Sequence, residues 1–332
     1  LSRALIRGAD VVVHNMPPSR SAAFGLDRDT VREVNPRAVW ACVSAFGSEG
    51  PMAGTLGYDL IAQAASGLLL ADVREDDEVP RRSGGIAMAD LTAGLLTLSS
   101  VLAGLTDRFR HEGDDLPAQG FEVSLLGSSL AVQVQRFITV GDERGAAPAR
   151  SVDRSGLQEL GRRVSDSDDL EPYYRCYEAA DGYLALACLN LDQRRRVQVL
   201  LGINDPWAAN PQSPPADEEE RLLRSSLKDR FAAVVRGRSV AEWIDAFTAA
   251  GIPAGPVHDI RDVHASAQAL ANGLVQRIDQ PGVGELSLLG SIFKVDGETS
   301  TALRPAPRLG EHTEAWRHQL SDTTVAEGAA RP

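Results

Sequence analysis

Asp90 lies in the run Arg82-Ser-Gly-Gly-Ile-Ala-Met-Ala-Asp90-Leu-Thr-Ala-Gly-Leu-Leu, where a glycine-rich turn gives way to an apolar helix. A carboxylate there has two uses. Its oxygen can accept a hydrogen bond from the N2 or N3 amide and cap the helix. Kept ionised by amides and the helix dipole, it can also attack an electrophile that Gly84 and Gly85 allow to approach closely. The two uses are compatible. Asp59, beside Tyr58, opens the run Leu60-Ile-Ala-Gln-Ala-Ala-Ser-Gly67 and admits the same capping reading. The two carboxylates form a nucleophile and a proton-handling partner only if the fold brings them together, which spacing alone does not decide. The histidines identify no reaction: His14 ends a strand-like run, Gly310-Glu-His312 can cap a C-terminal helix, and His258 and His264 lack HxxxH spacing and an acidic ligand set. No metal site is expected. The dinucleotide-binding glycine pattern, the P-loop and the nucleophile elbow are all absent.

The elements that must hold these carboxylates read as follows. Residues 1–8 look like the last turns of a helix stopping at Gly8, which suggests that the chain begins inside a domain. A β-branched run at 9–14 predicts a buried strand, followed by a loop at 15–19, a helix from Asp29 and a second buried strand at 38–44. That order predicts a parallel sheet. Helices are expected from Tyr58-Asp59 and from Asp90 to about Arg110, then a strand at 120–124 and one long apolar helix over 125–140. Residues 141–170 turn polar and lose periodicity, which reads as a linker or flap. Beyond it come a hairpin (173–177, turn at 179–182, 183–188) and helices at 191–201 and 218–235. The capping box Ser239-Val-Ala-Glu242 opens a helix that stops at Gly251; a further helix, strands within 284–295 and a frayed tail after Gln319 complete the chain.

Composition narrows the class. With 332 residues, 43% of them hydrophobic, the chain can bury a sizeable core. The 46 acidic against 34 basic residues, with no basic block denser than Arg194-Arg195-Arg196, argue against a nucleic-acid partner. Cys42, Cys176 and Cys188 show no CxxC or Cys/His spacing, so reduced thiols and a cytoplasmic setting are expected. No run approaches the ~18 uninterrupted apolar residues of a membrane span, and no membrane partner is expected.

A set of short landmarks runs through the chain in fixed order: Ala9-Asp-Val-Val-Val-His-Asn15, Asn35-Pro36, Ser44-Ala-Phe-Gly-Ser-Glu-Gly-Pro51, Gly57-Tyr-Asp59, Ala89-Asp90, Ala179-Ala-Asp-Gly182, Ala250-Gly-Ile-Pro-Ala-Gly-Pro-Val257 and Leu309-Gly-Glu-His-Thr313. Together they resemble the class III CoA-transferase family, which includes formyl-CoA and carnitine CoA-transferases and the alpha-methylacyl-CoA racemases. The resemblance implies an acyl-CoA:carboxylate CoA-transferase working through an aspartyl-CoA thioester, with Asp90 as nucleophile and Asp59 assisting. It implies that Asn15, Met16 and Pro17, at the end of a strand, and Leu56, Gly57 and Tyr58 contact the CoA. Coenzyme A and acyl-CoA enter as substrates with a small carboxylic acid, and no tightly bound cofactor is implied. Two other readings stand beside this one. A CoA-thioester isomerase or racemase would share the pocket, but its histidine position reads Tyr58, whose pKa of about 10 makes a poor base at neutral pH. A catalytically silent CoA-binding half of a longer fused protein is the third.

The fold implied is α/β: a Rossmann-like large domain with a parallel sheet, plus a smaller α+β domain, in an interlocked homodimer. The large domain is expected over 1–140, lacking its first strand and helix, and the linker or flap over 141–170. The small domain is expected over 171–285, a return to the large domain over 286–320, and a tail over 321–332. By the same resemblance about 70 to 80 further residues would precede Leu1, on a domain-length comparison.

Overall fold

A computed structural model describes residues 2–111, 117–137, 151–169, 171–210, 213, 215–299 and 304–319. In chain order the first elements are α1 (Ser2–Arg7), β1 (Val11–His14), α2 (Pro18–Phe24), α3 (Arg28–Val34), β2 (Val39–Ser44), α4 (Asp59–Ala65) and α5 (Met88–Arg110). They are followed by β3 (Gly120–Ser124), α6 (Leu125–Ala131), α7 (Val134–Phe137) and α8 (Arg154–Asp169). The next elements are β4 (Tyr174–Glu178), β5 (Tyr183–Ala187), α9 (Leu191–Leu201), α10 (Glu218–Val235), α11 (Val240–Ala249) and β6 (Ala254–Pro256). Last come α12 (Ala267–Ala271), β7 (Val275–Gln280), β8 (Gly284–Leu289), β9 (Lys294–Val295) and β10 (Glu298–Thr299). The chain divides into two compact units, Leu1–Ser165 and Asp166–Pro332, and the division falls within α8.

In the first unit β1, β2 and β3 form a parallel sheet with β2 central. Buried on both faces, β2 is apolar at successive positions rather than alternately, as a covered parallel strand must be. Trp40 packs with Val12, Val31 and Ile6 on one face, while Val39 and Ala41 meet Val101 of α5 on the other. Helices therefore cover both faces. The side chain of Asn35 ties this arrangement down, donating to the carbonyls of Ile6 and Ala9 at 2.9 Å each.

The register of α5 on the sheet places the candidate site. Its buried stripe is Ala89, Ala93, Thr97, Val101 and Gly104, small residues spaced at near-helical period. Ala89 and Ala93 pack beside Val43 and Val123, near the ends of β2 and β3, whereas Gly104 lies against Val39 and Phe121, near their beginnings. So α5 runs opposite to the strands, with its N-terminus at the carboxyl edge of the sheet, where open α/β sheets receive ligands. A Cβ at Gly104 would stand 2.8 Å from Phe121 and 2.9 Å from Val39, so only glycine permits this approach. By length and composition α5 could cross a membrane. Sequence reading by uninterrupted runs passes over it because Thr97, Ser99, Ser100 and Thr106 break the run, and each returns its hydroxyl to the carbonyl four residues back.

Three local expectations change. Pro18, expected within a loop, is the first residue of α2, where its missing N–H costs nothing. The long helix expected over 125–140 breaks at Val132 and Gln133 into α6 and α7, with Gln133 Nε2 bonded to the carbonyls of Ser129 and Ser66; residues 138–140 lie outside the described part. Within the polar stretch 141–170, residues 154–169 form α8. This helix buries Leu157 and sets Gly161 against the backbone of Arg74.

The second unit is built on the antiparallel sheet β4-β5-β6, covered by α10 and α11. Tyr173, Tyr177, Leu184, Phe231, Trp243 and Phe247 fill its core. The polar ends of the aromatics are satisfied: Tyr173 Oη donates to Asp205 at 2.8 Å, Tyr177 Oη to the Pro172 carbonyl at 2.6 Å and Trp243 Nε1 to the Val235 carbonyl at 2.7 Å. The capping box at Ser239 and Glu242 forms as the sequence predicts, and Gly251 takes the left-handed conformation that ends the helix. The hairpin β7-β8 and the short pair β9-β10 follow.

Candidate functional site

The fold brings Asp59 and Asp90 together, in roles that differ from the reading of either as the cap of its own helix. Asp59 is the first residue of α4, and Tyr58 before it provides no side-chain cap. The Asp59 carboxylate, only 7% exposed, turns instead to the neighbouring helix. Its Oδ1 accepts from the backbone N–H of Ala89 at 2.9 Å and of Asp90 at 3.3 Å, the N2 and N3 amides of α5. Ala87, at the N-cap position of α5, has no side chain that could do this. Asp59 thus caps α5 from outside.

The consequence falls on Asp90. As the third residue of α5 rather than its opener, it has no capping duty, and it is exposed at the N-terminal turn. A carboxylate in that position gains from the helix dipole. The net effect is nevertheless a pKa raised above the usual aspartate value, first because the carboxyl is partly desolvated and second because Asp59 brings a like charge close. Such a group is less strongly solvated and more basic than an ordinary surface aspartate, which suits a nucleophile.

Gln63, one turn along α4 from Asp59, escapes a reading confined to charged residues. Its side chain is fully buried, and Nε2 donates to Asp59 Oδ2 at 2.7 Å and to the Ile86 carbonyl at 3.3 Å. The signal was present: a lone amide four positions after Asp59 in a run of small and apolar residues can only face it. Ahead of α5, Gly84 and Gly85 take consecutive positive φ values of 57° and 67°, and Arg82 donates to the Gly85 carbonyl. That turn leaves the space beside Gly85 open.

The remaining candidates share the carboxyl edge. Asn15, Met16 and Pro17 leave β1 where His14 pairs in register with Cys42 of β2. Asn15 is exposed, and Met16 and Pro17 are half-buried. His14 itself is buried against Trp40 with its Nδ1 accepting the Met16 N–H at 3.3 Å, and burial holds its pKa below the usual histidine value. Its place is therefore beneath the loop. Leu56 and Tyr58 are exposed, at 76% and 82%. Gly57 between them is pressed against the end of β2, where a Cβ would lie 2.8 Å from Ala45 Cβ and 3.0 Å from the Phe46 ring. The contact fixes the segment that delivers Asp59. Cys42, half-buried, has its thiol pushed up to about 11 by burial and by Glu122, so it offers no competing nucleophile at neutral pH. Among the described residues no group of three or more His, Cys, Asp or Glu side chains gathers as metal ligands would.

The model of CoA-transferase family III matches residues 1–313. Succinyl-CoA:glutarate CoA-transferase of Mus musculus is 30% identical over 318 residues, covering 94% of this chain and 66% of its own length. Succinate–glutarate CoA-transferase of Agrobacterium fabrum is 30% identical over 341 residues, covering all of this chain and 77% of its own. Acetyl-CoA:oxalate CoA-transferase of Acetobacter aceti is 26% identical over 322 residues, covering 96% and 75%. The chain spans slightly under two thirds of the length of the mouse protein and of its human counterpart, at 66% and 64%. Among solved structures, a CaiB/BaiF family protein from Brucella suis superposes with a TM-score of 0.66 at 24% identity, covering 96% of this chain and 77% of its own. Rv3272 from Mycobacterium tuberculosis superposes with a TM-score of 0.71 at 19% identity, covering 94% and 78%. The α/β architecture with its parallel sheet is the fold of these proteins, and the chain belongs to CoA-transferase family III.

Proposed function

We propose that this chain carries the catalytic machinery of an acyl-CoA:carboxylate CoA-transferase, with Asp90 as the covalent nucleophile. The observation that carries the reading is the division of labour at the start of α5: Asp59 takes the amides, and the carboxylate of Asp90 stays exposed and is made more basic. An Asp90 oxygen attacks the thioester carbonyl carbon, the C–S bond breaks, and CoA thiolate leaves a mixed anhydride. The thiolate then attacks the Asp90 carbonyl carbon, releasing the donor carboxylate and forming an aspartyl-CoA thioester. An acceptor carboxylate attacks that thioester, expelling the thiolate and forming a second anhydride. Attack of the thiolate on the acceptor's acyl carbon yields the new acyl-CoA and restores Asp90. Each step exchanges one activated acyl bond for another, which divides a difficult transfer into smaller barriers.

Asn15, Met16, Pro17, Leu56, Gly57 and Tyr58 are assigned to the CoA arm because they crowd the sheet edge from which Asp59 and Asp90 rise. Short dicarboxylates of the kind named for the relatives, succinate, glutarate and oxalate, are the first acceptors to test. The working particle is proposed to be a homodimer. Support comes from Leu91, Leu95, Leu98 and Leu102, each more than half exposed in a line along α5, an apolar stripe that calls for a cover. The test of the chemistry is mass spectrometry after incubation with succinyl-CoA and hydroxylamine. Hydroxamate at Asp90 is expected; an unmodified Asp90 in a protein that still transfers CoA overturns the assignment.

A further inference from the structure

Gln63 is a puzzle if it is only core. It is fully buried among small and apolar residues, yet its Oε1 has no hydrogen-bond partner among the described residues. An apolar side chain of similar volume would fill the space without an unsatisfied acceptor, so packing does not explain the amide. What the amide alone supplies is its donor: one nitrogen joins Asp59 Oδ2 to the Ile86 carbonyl just ahead of α5.

We infer that Gln63 is a positioning residue for the transfer reaction: by holding Oδ2 of Asp59 it directs Oδ1 onto the Ala89 and Asp90 amides, and so fixes where the Asp90 carboxylate stands. The two oxygens of Asp59 have separate jobs, one toward α4 and one toward α5. Without the donor on the first, the carboxylate can turn about its own bond and release the second. The bond to Ile86 extends the clamp to the glycine turn. The same geometry keeps the charge of Asp59 close to Asp90, where it adds to the effect of partial desolvation in raising the Asp90 pKa. This inference rests on Asp90 as the reacting group, and its test is arranged so that the two can fail separately.

Gln63→Met keeps the volume and removes both hydrogen bonds. Gln63→Glu can replace the amide donor while its carboxyl is protonated and cannot once it ionises. For each folded variant, checked by circular dichroism and thermal melting, two quantities are read: the rate at which succinyl-CoA acylates Asp90, and the titration of the Asp90 carboxyl carbon by NMR. With Gln63→Met the acylation rate is expected to fall roughly tenfold to a hundredfold, the scale of a misplaced reacting group, and the Asp90 titration to move toward an ordinary aspartate. For Gln63→Glu, the rate relative to the native protein is expected to rise as the pH falls, a response that lost packing would not produce. Native acylation rate and native Asp90 titration in folded Gln63→Met would overturn the inference, as would a flat pH ratio in Gln63→Glu. If Gln63→Met does not fold, Gln63→Glu decides. If the native protein is not acylated at Asp90, the transferase reading fails and the titration alone decides whether Gln63 positions Asp90.

Discussion

Asp59 reaches Asp90 through the main chain: its Oδ1 accepts the Asp90 amide at 3.3 Å and the Ala89 amide at 2.9 Å, while the Asp90 side chain stands exposed. A residue in one helix thus completes the hydrogen bonding of another helix and frees the carboxylate beside it. In the proposed mechanism the arrangement separates a structural task, held by Asp59, from a chemical one, held by Asp90, and the second can be removed without the first.

Asp90→Asn removes the proposed nucleophile and keeps the shape. CoA transfer is expected to fall on the order of 10³-fold or more, the scale seen when a covalent nucleophile is lost. Folding should be unimpaired, because the side chain is exposed. Initial rates with succinyl-CoA and glutarate, set beside thermal melting, check both halves of the expectation.

Asp59→Ala strikes the structure first. It strands the Ala89 and Asp90 amides at the head of α5 and leaves the buried Gln63 amide without its main acceptor. Losing a helix cap and orphaning a buried polar group each cost about 1–2 kcal/mol, so a destabilisation of about 2–4 kcal/mol is expected, together with loss of transfer. Urea unfolding measures it. Asp59→Asn is the sharper probe: its amide can still present an oxygen to α5, but its NH2 then meets the Gln63 donor.

Some of this was legible in the sequence and some was not, for physical reasons. Strands β2 and β3 and helices α9 and α10 announced themselves because burial and periodicity are local in the chain. The position of Asp90 was legible too, since the residues before it read as a glycine turn and those after it as an apolar helix. Its relation to Asp59 was not. Thirty-one positions separate the two, and which amides Asp59 caps depends on the register of α5 against the sheet, which Gly104 sets far from the site. The break at Val132 and Gln133 was hidden likewise, because the bond that Gln133 makes to the Ser66 carbonyl is tertiary.

The raised pKa of Asp90 predicts an acid limb for the proposed reaction. In the proposed mechanism the ionised carboxylate is the nucleophile, so acylation should fall as the pH drops through a midpoint above the ordinary aspartate value of 3.8. The sign for stability runs the other way. Because the native state holds this proton more tightly than the unfolded chain, ionised Asp90 opposes folding at neutral pH, and the opposition fades below 3.8, where both states are protonated. Asp90→Asn should therefore be as stable as the native protein or more so at neutral pH, with the difference closing in acid. Acylation rates and urea midpoints measured across pH 3 to 8, about the span over which aspartate linkage acts, check the two signs together.

Gly104 tests whether the site depends on the seat of its helix. It lies in α5 fourteen residues from Asp90, where the helix rests against Val39 of β2 and Phe121 of β3. In Gly104→Ala the new methyl would sit 2.8 Å from a Phe121 ring carbon and 2.9 Å from Val39, inside van der Waals contact on both sides. Val39 is fully buried, so it has little room to yield. Alanine favours helix over glycine by about 0.8–1.0 kcal/mol, but overpacking costs about 1–3 kcal/mol, and the larger effect should win. The helix relieves the clash by lifting from the sheet, and lifting it draws the Ala89 and Asp90 amides away from Asp59. Gly104→Ala is accordingly expected to lower both the urea midpoint and the rate of Asp90 acylation, whereas Gly94→Ala, at a glycine of the same helix with open space around it, should leave both unchanged or raise stability slightly.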